Sequence, residues 1–110
     1  MGTDMIRMNV KWRVVPSGAP SIVSALQTLM VRTRTAAGCT ACSLSTDMDG
    51  QVEIHYVADW EREGDLQRQI RSSDFTRLAE LMEHATEPPT IEFVTETGTF
   101  GLDYAEKVRQ

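Results

Sequence analysis

The first half of the chain alternates between apolar and polar residues and then changes to helical spacing. Apolar side chains at every second position from Ile6 to Val14 predict a strand with one apolar face. Pro16 and Gly18 have turn chemistry, and Pro20 suits a first helical turn, where the N–H groups have no helical partner. We expect the helix to end near Gly38. Its apolar stripe consists of Ile22, Val23, Leu26, Leu29 and Met30.

The second half begins with a hairpin and returns to a helix. Asp47–Gly50 predicts a tight turn, and Gln51–Trp60 alternates as a second strand of the hairpin. From Glu61 the pattern becomes helical, with an interruption near Ser72, whose side chain can cap a fresh helix. After two prolines, alternation over 91–95 predicts a last strand.

These elements follow the order βαββαβ. That order predicts an α+β, ferredoxin-like fold, with an antiparallel four-stranded sheet and helices on one face. We assign residues 1–97 to this single domain and 98–110 to a C-terminal tail, in which a helical turn is expected over Asp103–Val108. Whether the tail lies over a partner or is mobile stays open.

The sheet has more apolar side chains than two helices on one face are expected to cover. A sheet with apolar residues on its second face tends to bury them against another chain. We therefore expect a homodimer, the dimeric α+β barrel, in which two sheets face each other. The residues behind this expectation are Trp12, Val15, Val57, Phe93 and Val94.

Composition and charge limit the classes of binding partner that we expect. The 110 residues carry a net charge of -5, which disfavours nucleic acid because phosphate binding needs clustered cations. No apolar run approaches the ~20 residues that cross a bilayer, so we expect no membrane insertion. The first residues lack a basic segment followed by an apolar one, as a secretory signal requires, and we expect a cytoplasmic protein.

One stretch resembles a known family. Tyr56–Trp60, then Leu66, Gln69 and the segment Ser72–Phe75, is similar in spacing to the antibiotic biosynthesis monooxygenases, which are dimeric α+β barrels. The Gly38–Cys39 step into the second strand is also similar. The resemblance covers roughly residues 5–97. It implies a monooxygenase that needs no cofactor and acts on a small aromatic or quinol-like molecule, and we expect the substrate to lie in a pocket between the sheet and the helices, beside Trp60.

The chain departs from that family at polar positions. The family commonly has a glutamate two residues before the tryptophan and a histidine nine after it, where this chain has Ala58 and Gln69. The asparagine and tyrosine of its anthrone oxygenases correspond to Tyr56 and Leu66. A catalytic pocket in this chain would therefore use other groups.

The resemblance suggests roles for the residues that are present. Trp60 is expected to form a flat wall, Tyr56 to supply a hydroxyl, and Gln69 an amide donor to a developing oxyanion. Phe75 and Leu66 are expected to bind the substrate. The alternative is that the aromatic residues only pack the core. A non-catalytic dimer that binds a hydrophobic metabolite is then the competing function, and we favour the enzyme.

The remaining polar candidate residues have a weaker connection to the expected substrate pocket. Asn9 is a candidate substrate-binding residue, because its position resembles an asparagine of haem-degrading relatives, although no histidine is suitably placed to ligate haem. Strict alternation puts His55 on the face opposite Trp60, and we interpret it as structural. His84 is expected to lie exposed near a helix C-terminus.

Cys39 and Cys42 form a C-x-x-C motif that could indicate redox chemistry or half of a zinc site. The pair follows a helix instead of opening one, and two further zinc ligands at matching spacing are missing. Strand residues three apart point to opposite faces, which disfavours a disulfide. We therefore expect two reduced thiols and no metal; the expectation that no cofactor is needed comes from the resemblance alone.

Overall fold

The computed structural model describes residues 5–110 and contains the expected α+β fold. Residues 1–4, on which part of the signal-sequence argument rests, lie outside the described residues. The elements in chain order are β1 (Ile6–Val14), α1 (Ala19–Arg34), β2 (Cys39–Asp49), β3 (Gln51–Trp60), α2 (Glu63–Ile70), α3 (Ser73–Met82), β4 (Thr90–Thr95), β5 (Gly98–Phe100) and α4 (Leu102–Val108).

The sheet is antiparallel throughout and has the strand order β2-β3-β1-β4-β5. Along β1 and β3, every second residue is buried and the residues between them are mostly half-buried. The buried set faces the helices, and we call this side the helix face and the other the open face. The predicted βαββαβ core is thus confirmed, with β5 as one strand more than expected.

The second helical segment is two helices, as the interruption at Ser72 predicted. The Ser72 hydroxyl accepts a hydrogen bond from the Phe75 backbone N–H at 3.4 Å and donates to the Gln69 carbonyl at 2.6 Å. This cap lies where α2 ends and α3 begins. As a result, Gln69 and Phe75 come from two separate helices that both pack against the sheet.

The connection from α1 to β2 depends on Gly38. The helix ends at Arg34, four residues before the glycine that was expected to stop it. Gly38 has a φ of +83°, and its carbonyl accepts the Glu61 N–H at 2.7 Å. A β-carbon here would collide with the Asp65 carboxyl group. Glycine therefore allows β2 to enter the sheet directly beside the end of β3 and the start of α2.

The C-terminal tail folds back on its own chain. β5 pairs with β4, and the expected helical turn is α4. The Tyr104 ring lies 5.3 Å from the Phe93 ring, centroid to centroid, and its hydroxyl donates to Glu63 on α2 at 2.7 Å. The helical layer is therefore larger than the two helices expected from the sequence.

The second face of the sheet carries fewer apolar side chains than we expected. Trp12 and Phe93, which we expected to be left uncovered, lie on the helix face and are 2% and 0% exposed. Only Val57 and Val94 of the expected set lie on the open face, both half-buried, and Val15 lies beyond the end of β1. The open face is mainly polar, so the premise of an apolar second face was wrong.

Candidate functional site

Trp60 ends β3 and lies on the helix face. It pairs with Ile6 of β1 and Cys39 of β2, and its side chain is 4% exposed. The indole Nε1 is buried and has no hydrogen-bond partner. A buried donor without an acceptor costs about 1–3 kcal/mol, so native proteins rarely keep one without a reason. Trp60 thus presents an aromatic surface with an unused donor inside the layer between sheet and helices.

Three predicted site residues from the helices join Trp60 in this layer. Leu66 and Phe75 are buried and belong to the same apolar core cluster as the indole. Gln69 is 7% exposed, and its backbone carbonyl accepts from Ser72. The predicted spacing of six, nine and fifteen residues after the tryptophan therefore brings these side chains to one face of the helical layer.

Tyr56 also lies on the helix face, but its hydroxyl already has a partner. It donates to the Thr33 hydroxyl at 3.1 Å, and Thr33 donates in turn to the Leu29 carbonyl at 2.9 Å. Burial raises the pKa of the Tyr56 phenol well above its ordinary value, with the Cys42 thiol as a further neighbour that raises it. The phenol therefore stays protonated at neutral pH and is unsuited to act as a base.

Asn9 is separated from the other candidates by the thickness of the sheet. It lies on the open face, where its Oδ1 is 2.6 Å from Nε2 of His55. His55 is on this face as alternation predicted, and His84 is exposed as expected. The structure brings Asn9 and His55 together as a pair but not with Trp60.

Sequence reasoning missed two polar groups in the layer. Thr33 is 1% exposed and fixes the Tyr56 hydroxyl. Its spacing from Leu26 and Leu29 continues the buried stripe of α1, and this periodicity was the available signal. Tyr104 was assigned to the tail, and nothing in the local pattern indicates that it reaches Glu63. Burial, and then the bond to Glu63, raise the pKa of Tyr104 to about 12.

Three prominent surface clefts lie in the described part of the chain, and Trp60 is in the wall of none of these three. They measure about 290, 300 and 420 Å³. The first lies beside Cys39 and Cys42, the second between α1 and α3, and the third between α2 and α4. Around Trp60 the layer is packed core, so a ligand at the indole requires the helices to separate from the sheet.

Two further findings restrict the chemistry of residues 5–110. The buried polar residues there are Thr33, Gln69 and Thr95, none of which is a carboxylate, an imidazole or an amine. Over the same residues, no helix is long and apolar enough to span a bilayer. The layer beside Trp60 therefore has hydrogen-bond donors but no buried carboxylate, imidazole or amine to act as a general base, and burial raises the pKa of the two titratable groups there, the Cys42 thiol and the Tyr56 phenol.

Comparisons with known proteins place the fold. No family model matches the chain, and none of the curated proteins compared with it matches. Several solved structures do match over most of their length. A conserved protein from Methanosarcina mazei Go1 has a TM-score of 0.72 at 20% identity, over 84% of this chain and 92% of that one.

Two other similar structures carry functional descriptions. One is described as an antibiotic biosynthesis monooxygenase, with a TM-score of 0.67 at 20% identity over 82% of this chain and 96% of that one. The other, from Bacteroides thetaiotaomicron, is of unknown function and described as a possible oxidoreductase, with a TM-score of 0.71 at 19% identity over 86% and 99%. The resemblance noted in the sequence is thus confirmed at the level of the fold: this chain has the fold of proteins described as antibiotic biosynthesis monooxygenases.

Proposed function

We propose that the protein is a cofactor-independent monooxygenase for a small aromatic or quinol-like substrate held beside Trp60. The unpartnered indole N–H carries the proposal, because it is a fixed donor inside an apolar layer. A substrate oxygen that accepts this N–H would remove the cost of the unused donor. The bond would strengthen as negative charge develops on that oxygen, which is how an oxyanion site accelerates a reaction.

The reaction can be balanced without a cofactor. An ionised anthrone or hydroquinone is electron-rich enough to pass an electron to O₂ itself. With an anthrone, one oxygen atom of O₂ becomes a carbonyl on the substrate's methylene carbon. The other leaves as water with the two methylene hydrogens. The substrate supplies all four electrons, so the protein must bind it, stabilise its anion and exclude water.

The roles of the side chains follow from their hydrogen bonds. Trp60 is the donor to the substrate oxygen, Gln69 is the second polar group available to it, and Leu66 and Phe75 supply apolar contact. Tyr56 is a positioning residue, since its hydroxyl is bound to Thr33. Because the buried polar residues among 5–110 include no carboxylate, imidazole or amine, and burial raises the pKa of the Cys42 thiol, we expect the substrate to ionise by its own acidity. Activity should therefore rise with pH along the titration of the substrate.

The chain supplies a matched control for this proposal. Trp12 is also buried on the helix face with an unpartnered Nε1, but on β1 opposite Ile54, several residues along the sheet from Trp60. In an oxygen-consumption assay with hydroquinones and anthrones, Trp60→Phe should lower kcat by about 10²–10³-fold, the usual loss for one oxyanion donor. Trp12→Phe should leave kcat unchanged. Equal turnover in the two variants would contradict the proposal.

A specific observation favours a second candidate, a non-catalytic dimeric module that binds a hydrophobic metabolite. The three clefts lie away from Trp60, and the Tyr56 hydroxyl is already bonded. This candidate predicts that no hydroquinone or anthrone is consumed faster than without protein. The pH profile gives a further distinction, since a true oxygenase of the proposed kind should shift its profile with the pKa of each substrate.

We also propose that the protein is a homodimer that pairs two open faces, as expected from the sequence but for a different physical reason. On this face Arg7 is paired with Asp59 at 2.6 Å, Arg13 lies 3.7 Å from Glu53, and Val57 and Val94 stay half-buried. Because these charges are paired within each protomer, a second copy can cover this part of the face at a lower desolvation cost than unpaired charges would impose. Sedimentation equilibrium should give twice the mass of the chain at micromolar concentration. A monomer at every concentration tested would contradict the dimer.

A further inference from the structure

The strand that carries Cys39 and Cys42 contains an irregularity that changes where the two thiols point. Cys39 pairs with Trp60, Ala41 with Asp59 and Cys42 with Ala58, so Thr40 is an extra residue in β2. Directly opposed residues of an antiparallel pair share a face of the sheet. Trp60 and Ala58 are both on the helix face, and both cysteines therefore lie on it too. The expectation of opposite faces was wrong because of this bulge.

The spacing of the partners sets the distance between the cysteines. Their partners on β3 are two residues apart, which corresponds to about 6.6 Å of strand. Disulfides usually join Cα atoms 4.4–6.8 Å apart, with β-carbons at about 3.8 Å, and neighbouring same-face side chains on a strand are close to this limit. A bridging ion has a longer reach, since two metal–sulfur bonds of about 2.3 Å allow sulfurs up to about 4.6 Å apart.

The surroundings of the pair also favour an ion over a bond. A cleft of about 290 Å³ is lined by Cys39, Cys42 and Arg34, together with the two residues between the cysteines. Cys39 is half-buried and Cys42 buried, so the cleft opens on the first thiol and ends at the second. The Arg34 Nε donates to the Cys42 carbonyl at 3.0 Å, so the guanidinium is fixed in the wall of the same cleft as the two cysteines.

Ligand number and charge then select the kind of ion. Within residues 5–110 no group of three or more His, Cys, Asp or Glu side chains is arranged to hold a metal, so zinc would lack its usual four ligands. Thiolates are soft ligands that select copper(I). Two thiolates on one copper(I) carry a net charge of -1, and the neighbouring Arg34 guanidinium offsets it.

We propose that Cys39 and Cys42 are a two-thiolate site for a soft, low-coordinate cation, with copper(I) as the representative ion. Binding replaces the proton of each thiol, so two thiols and one copper(I) give one bis-thiolate complex and two protons. No electron is transferred. Burial raises the pKa of both thiols, and the copper affinity should accordingly increase steeply with pH.

The test is an anaerobic titration of the purified, reduced protein with copper(I) against a chromophoric chelator. The wild type should bind one copper(I) per chain. Cys39→Ser should weaken binding by at least roughly 100-fold, because the second thiolate of a chelate acts at high effective concentration. Cys39 is half-buried, so this variant should keep the fold even if Cys42→Ser does not. Circular dichroism should show that Cys39→Ser is folded.

A relocation variant tests the geometry itself. Cys39→Ser combined with Ala41→Cys keeps two thiols but puts the new one opposite Asp59, on the open face. This variant should bind no more tightly than Cys39→Ser alone. Wild-type affinity in the relocation variant, or wild-type affinity in Cys39→Ser, would overturn the proposal. An intrachain disulfide formed rapidly with diamide, without copper(I) binding by the reduced protein, would overturn it as well and assign the pair to thiol redox chemistry.

Discussion

On the helix face of the sheet, Val10, Ile54 and Ala58 are fully buried among apolar neighbours, whereas on the open face several polar residues form cross-strand pairs. Arg7 contacts Asp59 through two hydrogen bonds of 2.6 and 3.0 Å, and Asn9 lies 2.6 Å from His55. Cross-strand pairs thus provide hydrogen-bond or ion-pair partners for several polar side chains of the open face. The helix face has no such pairs.

The unused donors are correspondingly concentrated on the helix face. Among the described residues, three buried side-chain nitrogens have no hydrogen-bond partner, and two of them are the indoles of Trp12 and Trp60. The third, Nε of Arg13, still lies 3.7 Å from the Glu53 carboxylate on the open face. The helix-covered side therefore has indole N–H donors free for a ligand, and the open side has its polar groups at a surface that helices do not cover.

The largest expected effect is a difference between the two faces in the free energy of unfolding that is lost when a side chain is truncated. Ile54→Ala removes a fully buried side chain and should cost about 2–5 kcal/mol of the free energy of unfolding. Val57→Ala on the open face should cost about 1 kcal/mol or less in the protomer, since only half-buried methyl groups are lost. Urea denaturation measures both. A cost for Val57→Ala that grows with protein concentration would locate the dimer interface there.

The pH dependence of stability tests the contribution of the two tyrosine hydroxyls to the helical layer. The chain has two tyrosines, and burial raises the pKa of both, that of Tyr104 to about 12. A raised phenol pKa gives stability that is fully present below the unfolded value near 10 and is lost as the pH rises through the folded value. The protein should therefore lose stability between about pH 10 and 12.

Tyr104→Phe sharpens this result, because it removes the tail's hydroxyl but keeps its ring against Phe93. The variant should lose part of the alkaline dependence, and ultraviolet titration should then detect the single remaining phenol, Tyr56, which ionises only as the protein unfolds. A Tyr56 phenol that ionises near its ordinary value in the folded variant would show that the layer is open to water.

The smallest expected effect lies on the open face. Arg7→Glu replaces the ion pair with Asp59 by two adjacent carboxylates, yet exposed pairs contribute only about 0–1 kcal/mol, so the protomer should remain folded. Self-association should weaken more, because two faces would then meet with uncompensated charge. Restoring the pair in reverse, with Arg7→Asp and Asp59→Arg, should recover the dimer. Dimerisation insensitive to Arg7→Glu would remove the open face from the interface.

The sequence predicts the elements that depend on local periodicity. Ile6–Val14 is the strand that its alternation indicates, and Ser72 caps α3 because its hydroxyl reaches the N–H of Phe75. The spacing after Trp60 likewise puts Leu66 and Gln69 on the buried side of α2. Each of these features is set by residues within one or two turns of each other.

Features that depend on distant contacts could not be predicted. The extra residue at Thr40 has no local pattern, and it alone turns Cys39 to the same face as Cys42. The position of Tyr104 depends on Glu63, which is 41 residues away in the chain. Phe93 was expected to be uncovered because α4, whose Tyr104 ring lies 5.3 Å from it, could not be counted as part of the helical layer. The candidate site follows the same division: periodicity predicts that Trp60, Leu66, Gln69 and Phe75 are buried, but it could not decide whether they border a pocket or pack the core.

The two indoles allow the proposed hydrogen bond from Trp60 to the substrate to be measured directly. The chain contains two tryptophans, so a ¹H–¹⁵N spectrum of the labelled protein has two indole resonances, assigned by Trp12→Phe and Trp60→Phe. On anaerobic titration with an anthrone or hydroquinone, the Trp60 resonance should shift downfield as its N–H gains an acceptor, and the Trp12 resonance should stay in place. A Trp60 resonance that does not move at saturating ligand, or equal shifts of both indoles, would contradict the account.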